Sequence, residues 1–335
     1  MGSPERAVRS VRLDRVDPER ATARDQFGAR RLQILPETDM CRLLTAFPAM
    51  LPLDGRLETH LRDVLIDVLA HPGNLVRAQL AYSTADLVGM PSTRALALAI
   101  ATEYFHTASL IFDDLPSMDD ARARRGHPCP HVTHGEAAAT LGALALITRG
   151  YALLWEAIET VSPKRQAEAS GLVSECLGVN GILDGQARDV HFRSSTAEPD
   201  AMLAVAAAKS VPLIRLALVL PAVVTGAGTL VVARLERLAD TWGLAYQILD
   251  DFKDCLLSDL EAGKSTGRDW SLGRPNLPTR AGQWAAHRQV ARLLAESRRL
   301  AETLEARFVE GWTPLAKLQA HLEEVHCGVG VRLHW

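Results

Sequence analysis

Glu103-Tyr104-Phe105-His106-Thr107-Ala108-Ser109-Leu110-Ile111-Phe112-Asp113-Asp114-Leu115-Pro116-Ser117-Met118-Asp119-Asp120 decides the fold. It joins a long apolar helical pattern to four carboxylates, with a proline between the two acidic pairs. Proline disfavours helical backbone in the residue before it, so a helix that opens at Pro91 ends before Pro116. Upstream, Leu57, Leu61, Val64, Leu65, Val68 and Leu69 recur at helical spacing until Pro72-Gly73 stops the pattern. Downstream, similar patterns cover about 135–160, 165–190, 199–224, 229–257, 281–307 and 313–326, with short Pro/Gly breaks between them. Alternating period-2 segments bounded by hairpin turns are absent. The expectation is an all-α, single-domain bundle of long helices around a central apolar cavity, spanning residues 41–335. Residues 1–40, mixed in charge and poor in aromatics, are expected to form a flexible or loosely docked extension.

Composition excludes several classes. Of 335 residues 47% are hydrophobic and 23% charged, the balance of a globular chain. The 37 basic and 40 acidic residues leave a net charge of -3, so no global positive field exists to hold a nucleic acid. Cys41, Cys129, Cys176, Cys255 and Cys327 form no C-x-x-C pair, which speaks against a zinc site or a disulfide framework and for a reducing, cytoplasmic setting. No run reaches the roughly 18 uninterrupted apolar residues of a typical membrane span, so stable membrane insertion is not expected. Arginines near the N-terminus alternate with Glu5, Asp14, Asp17, Glu19 and Asp25, unlike a secretory or transit signal.

A second acidic cluster closes another apolar stretch: Tyr246-Gln247-Ile248-Leu249-Asp250-Asp251-Phe252-Lys253-Asp254. Asp250 and Asp254 project from one helix face and can share a cation. Asp113 and Asp119 would stand roughly 120° apart on a continuous helix, and a turn at Pro116 is what lets them converge. One such cluster reads as a solvated helix end. Two, each behind strongly apolar sequence, imply neutralisation by cations, because buried like charges repel one another and resist desolvation. Carboxylates without histidine or thiolate partners suit Mg2+, which completes its octahedron with water and substrate phosphates. A diphosphate between two acidic walls is the matching guest, and Arg124, Arg125, Lys209, Lys264 and Arg268, mostly beside Pro/Gly breaks, supply positive charge.

In order along residues 56–280, these segments resemble the polyprenyl synthetase family, the trans-isoprenyl diphosphate synthases that include farnesyl and geranylgeranyl diphosphate synthases. Residues 103–119 resemble its first aspartate-rich motif and Arg124-Arg125-Gly126 its paired arginines. Gly185-Gln186-Ala187-Arg188-Asp189, Lys209-Ser210, the cluster at 246–254 and Gly263-Lys264-Ser265-Thr266-Gly267-Arg268-Asp269 resemble the later motifs. The resemblance implies an isoprenoid synthase fold. It also implies a reaction in which an allylic prenyl diphosphate and isopentenyl diphosphate are condensed with Mg2+, and a homodimer.

It implies roles as well. Asp113, Asp119, Asp250 and Asp254 would hold the metal, with Asp114 and Asp251 completing or orienting the shell. Arg124, Lys209, Lys264 and Arg268 would take the allylic diphosphate; Arg77, His106 and Arg125 would take isopentenyl diphosphate; Gln247 and Ser210 would line the junction. An isolated histidine in an apolar helix is often a core residue, but His106 lies two turns before Asp113 on the same side. Product length would be set by small Ala108 and Ser109, with Tyr104 one turn below as the floor, giving a geranylgeranyl-type product.

The sequence also departs from the family. Pro72-Gly73-Asn74-Leu75-Val76-Arg77 stands where a Gly-Gly-Lys-Arg-x-Arg segment is usual, so Asn74 and Leu75 replace a lysine and an arginine. Val132 and Arg274 replace lysines, Leu144 an aspartate, and Ala121-Arg122 an acidic pair, while Pro212 falls inside a helix just after Lys209-Ser210. Three readings remain open: chain elongation, a terpene cyclase or atypical coupling enzyme on the same fold, and an inactive regulatory subunit.

Overall fold

The computed structural model describes residues 32–192, 198–258, 261, 266, 272–308 and 311–333. In chain order the helices are α1 (Glu37–Ala49), α2 (Thr59–Ala70), α3 (Val76–Leu87), α4 (Ser92–Asp114), α5 (Pro130–His134), α6 (Glu136–Ile158), α7 (Pro163–Leu177), α8 (Ile182–Val190), α9 (Pro199–Thr225), α10 (Thr229–Leu256), α11 (Leu277–Arg280), α12 (Gln283–Glu305) and α13 (Thr313–Leu333). A hairpin of β1 (Ala123–Arg124) and β2 (His127–Pro128) is the sheet among the described residues.

Helix α4 is central, packing against α3 and α6, while α9 packs against α10 and α10 against α12. Its burial is nearly all-round: the run Ala97–Ala108 is buried without a break, because neighbours cover more than one face. By length and mean hydropathy α4, α6 and α9 could each cross a bilayer, although none is an uninterrupted apolar run. In the bundle 72% of the most apolar window of α4 is buried, and α9 runs unbroken through Pro212 and Pro221.

Several elements differ from the sequence expectation. The bundle begins before residue 41: Ile34 and Leu35 are buried, the Ile34 amide donates to Gln79 Oε1 at 2.8 Å, and Leu43 and Phe47 of α1 enter the core. Residues 34–40 are therefore docked, and residues 1–31 of the expected extension lie outside the described residues. Helix α3 shows no amphipathic stripe because Ala78–Ala85 is buried throughout. The pattern at 165–190 is two helices, α7 and α8. A Cβ on Gly181 would lie 2.2 Å from the Glu175 carbonyl oxygen, so the chain there passes too close for a side chain. The β1–β2 turn has positive φ at both central residues, Arg125 (56°) and Gly126 (79°), the type I′ geometry of a two-residue hairpin.

Gly185 fixes how closely α8 approaches α9: a Cβ there would lie 2.3 Å from the Ala208 carbonyl oxygen and 2.6 Å from the Lys209 nitrogen. Gly185→Ala is expected to destabilise the protein by about 1–3 kcal/mol through overpacking. Urea unfolding would show it as a lower midpoint at unchanged slope.

Candidate functional site

The ends of α4 and α10 present their carboxylates to one cavity of about 440 Å³. Helix α4 stops at Asp114, and the chain turns through Pro116 so that the Asp119 amide donates to the Asp113 carbonyl at 2.9 Å. That turn brings Asp119 back beside Asp113, and both line the cavity with Asp250, Asp251 and Asp254 of α10. The convergence inferred for a turn at Pro116 is thus present.

Lys209, Arg124 and Arg274 each have a carboxylate to hold them. Lys209 Nζ lies 2.9 Å from Asp189 Oδ2 and 3.6 Å from Asp113 Oδ2. Burial disfavours its charge, yet Asp113, Asp189 and Asp119 outweigh burial and raise its pKa. Asp113 is shifted upward by burial, an effect Lys209 offsets in part. Arg124 grips Asp114 through Nε and Nη2, with contacts of 2.7–3.0 Å. Asp114 is buried and does not line the cavity, because consecutive helical residues point about 100° apart. Its expected place in a metal shell is therefore corrected: it anchors Arg124, which does face the cavity.

Arg274, read from the sequence only as a departure from a family lysine, belongs to the site. Buried to 6% exposure, it donates to Asp119 Oδ1 at 2.8 Å, to the Met118 carbonyl at 2.9 Å and to the Asp189 carbonyl at 3.1 Å. It thereby ties the Asp119 turn to the end of α8. Ser210 Oγ, Gln247 and Asp251 form a chain: Ser210 donates to Gln247 Oε1 at 2.5 Å, and Gln247 Nε2 donates to Asp251 Oδ1 at 2.8 Å. Asp251 Oδ2 also accepts from the Leu277 amide at 3.3 Å, which fastens α10 to α11. Lys264 and Arg268 lie outside the described residues.

Arg77, His106 and Arg125 line the same cavity. Burial, and then Arg77, Arg125 and Arg124, hold the His106 pKa well below the usual range, so the ring is neutral. Its Nε2, 2.9 Å from Arg77 Nη1, must accept, since a guanidinium only donates. His106 therefore orients Arg77 rather than offering positive charge itself. Arg77 Nε is buried without a protein hydrogen-bond partner. Asn74 and Leu75 bring no cation: the Asn74 carbonyl accepts from Gln79 Nε2 at 2.6 Å, and Leu75 is 1% exposed in the core.

The expected channel floor is also corrected. Tyr104 and Ala108 do not line the cavity. Nine and five residues before Asp113, they stand about 180° and 140° away from it around α4. Tyr104 instead packs edge-on against Phe47 and donates to its carbonyl at 2.5 Å. Ser109 does line the cavity, about 40° from Asp113. Below it Phe105, eight residues back and about 80° round, meets Tyr151 of α6 in a T-shaped contact at 5.0 Å. A helical-wheel count from Asp113 would have found Phe105.

Among the described residues no three His, Cys, Asp or Glu side chains stand close enough to hold a metal ion alone. The donor set nonetheless fits Mg2+: it is all oxygen, divided between two walls, and Mg2+ is commonly held by one or two carboxylates together with substrate phosphates.

Residues 58–306 match the family model for polyprenyl synthetase. The chain is 33% identical over 228 residues to farnesyl diphosphate synthase of Escherichia coli, covering 68% of this chain and 76% of that one. It is 30% identical over 236 residues to a chloroplastic geranylgeranyl pyrophosphate synthase of Capsicum annuum, covering 70% of this chain and spanning 64% of the pepper protein's length. Its fold is similar to that of a Helicobacter pylori geranyltransferase solved with magnesium and isoprenyl diphosphate, at TM-score 0.76 and 24% identity, over 92% of this chain and 98% of that one. The chain belongs to the polyprenyl synthetase family and has the all-α fold of the isoprenoid synthases.

Arg274→Met would strip Asp119 of its described guanidinium and remove the donor it gives to the Met118 and Asp189 carbonyls. The expected loss is about 1.5–3 kcal/mol in urea unfolding. Arg274→Lys should recover only part of it, because one ammonium cannot reproduce a planar fork that serves three acceptors.

Proposed function

We propose that the protein is a trans-isoprenyl diphosphate synthase that condenses an allylic prenyl diphosphate with isopentenyl diphosphate into a longer trans-prenyl diphosphate. The observation that carries this reading is one cavity lined by the acidic groups of α4 and α10, by Arg77, Arg124, Arg125 and Lys209, and by the Phe105–Tyr151 aromatic pair. Asp113, Asp119, Asp250 and Asp254 would hold Mg2+, which neutralises diphosphate charge when bound. Lys209 and Arg124 take the allylic diphosphate and stabilise it as its carbon–oxygen bond breaks with both electrons leaving on oxygen. Arg77 and Arg125 hold the second diphosphate so that the acceptor's double bond faces the allylic carbon. The new carbon–carbon bond forms there, and the proton lost from the acceptor passes to the departing diphosphate. Leu110, Phe112, Ile147 and Leu213 keep water from the cation.

The tail extends down α4 toward Phe105 and Tyr151, about 12 Å along the helix axis from Asp113. With small Ser109 on that path, a geranylgeranyl-type product is the reading we favour. A homodimer is supported by α6, whose Leu141, Leu144, Tyr151 and Trp155 form an exposed apolar stripe at helical spacing.

One observation favours a second reading. Asn74 and Leu75 leave the acceptor end with Arg77 and Arg125 as its described cations, which suits a cyclase or a coupling enzyme with a less charged acceptor.

Incubation with Mg2+ and farnesyl diphosphate, with and without isopentenyl diphosphate, separates the two by mass spectrometry. A longer diphosphate that requires both substrates is the expected result; a hydrocarbon or alcohol made without isopentenyl diphosphate would replace it with cyclisation. Asp113→Ala and Asp250→Ala should each lower kcat by roughly 100-fold or more at unchanged circular dichroism, and chelation by EDTA should abolish turnover reversibly. Phe105→Ala should shift the products toward longer chains in the same assay, and an unaltered product distribution would exclude Phe105 as the floor.

A further inference from the structure

We propose that Glu103 is a positioning residue for the acceptor diphosphate, acting as the remote cap of α3 and as the shared counter-charge of Arg77 and Arg125. The inference rests on the elongation reading above.

Helix α3 begins without a cap of its own. Its N-cap residue, Leu75, sits in the left-handed region at φ 49° and makes no side-chain capping bond. The first amides of a helix need acceptors, and a serine or aspartate at the cap usually supplies one to the second or third residue. Here that acceptor arrives from α4. Glu103 Oε2 takes the Ala78 amide at 2.9 Å, and the neighbouring Arg77 amide adds to the stabilisation of its charge. Ala78 and Arg77 are the third and second residues of α3, the positions a local cap would serve.

Glu103 is 1% exposed, and burial shifts its pKa upward against the pull of Arg77 and Arg125. A carboxylate so placed is stable only when charge and hydrogen bonds compensate it. The positive end of α3 supplies part of that compensation and the two guanidinium groups the rest. The charge of Glu103 acts on both arginines through space. Arg77 donates to neutral His106 at 2.9 Å and lies over the Tyr246 ring at 5.7 Å from its centroid. Arg125 lies against Gly73, where a Cβ would fall 2.4 Å from its Cζ, and donates to the His71 carbonyl at 3.3 Å. The turn at 72–75, the first turn of α3 and both arginines thus form one unit with Glu103 beneath it. Lys209, Asp113 and Asp189 form a separate network at the other end of the cavity.

Steady-state kinetics on purified full-length variants tests this, with isopentenyl diphosphate and the allylic substrate varied in turn and thermal unfolding followed by circular dichroism. Glu103→Ala is expected to raise KM for isopentenyl diphosphate about tenfold, with the allylic KM within about twofold, as for loss of one charge-assisted contact that touches one substrate. Glu103→Gln keeps an oxygen for the Ala78 amide and should fall between wild type and Glu103→Ala. An unchanged isopentenyl diphosphate KM in Glu103→Gln would overturn the counter-charge role. Parallel increases in both KM values that track the loss of thermal stability would show general loosening and also overturn the proposal. Were wild type to make no longer diphosphate from both substrates, the elongation reading itself would fall, an outcome distinct from either.

Discussion

Buried carboxylates facing one another across an apolar hollow impose the constraint on which this structure depends. Each must meet a cation or a hydrogen-bond donor, because an uncompensated charge in a protein interior is far more costly than an exposed one. The chain meets that demand pair by pair: Asp114 with Arg124, Asp119 with Arg274, and Asp113 and Asp189 with Lys209. These partners come from the hairpin after α4, the segment before α11, and α9. Site electrostatics and bundle cohesion are therefore the same interactions, and Arg274 joins residues 155 positions apart in sequence.

Helix geometry then distributes the work. Adjacent residues on a helix diverge by about 100°, so a pair such as Asp113-Asp114 cannot turn both side chains to the cavity. One faces the guest and the other faces back to anchor a cation. Asp250 and Asp251 both reach the cavity, but Asp251 is also spent on structure, bonding Gln247 and the Leu277 amide. Paired aspartates at a helix end thus combine a ligand-facing group with a structural one.

What the sequence revealed follows from the same geometry. The long helices α4, α6, α9, α10 and α12 were legible because apolar patterns of more than twenty residues between Pro/Gly breaks admit no other element. Helix α3 was not, since a segment buried from Ala78 to Ala85 has no polar face to set a period. The hairpin at Arg125-Gly126 was not, since strands of two residues are too short to alternate. The acidic clusters could be read because their spacing is local. Lys209 was legible beside a recognisable motif, whereas the contact of Arg274 with Asp119 and the capping of α3 by Glu103 join distant segments and leave no local trace. Tyr104 and Ala108 failed as floor residues for want of an angular count, which places Phe105 on the cavity side and Tyr104 opposite.

The two ends of the cavity differ in what they require. At the donor end, Asp113, Asp114, Asp119, Asp189, Asp250, Asp251 and Asp254 outnumber Lys209, Arg124 and Arg274 among the described residues, so a diphosphate would meet repulsion there until divalent ions entered with it. At the acceptor end, Arg77 and Arg125 exceed the single buried carboxylate of Glu103, and His106 stays neutral. On the proposed reading, a diphosphate there would be held by guanidinium groups rather than by metal. In the proposed reaction the asymmetry would separate the roles of two chemically similar headgroups: the one whose bond breaks would lie beside the acidic walls with its divalent ions, and the one that stays attached beside the guanidinium groups. On that proposal, Asn74 and Leu75 in place of cations would weaken only the second site and leave the groups for ionising the allylic substrate in place.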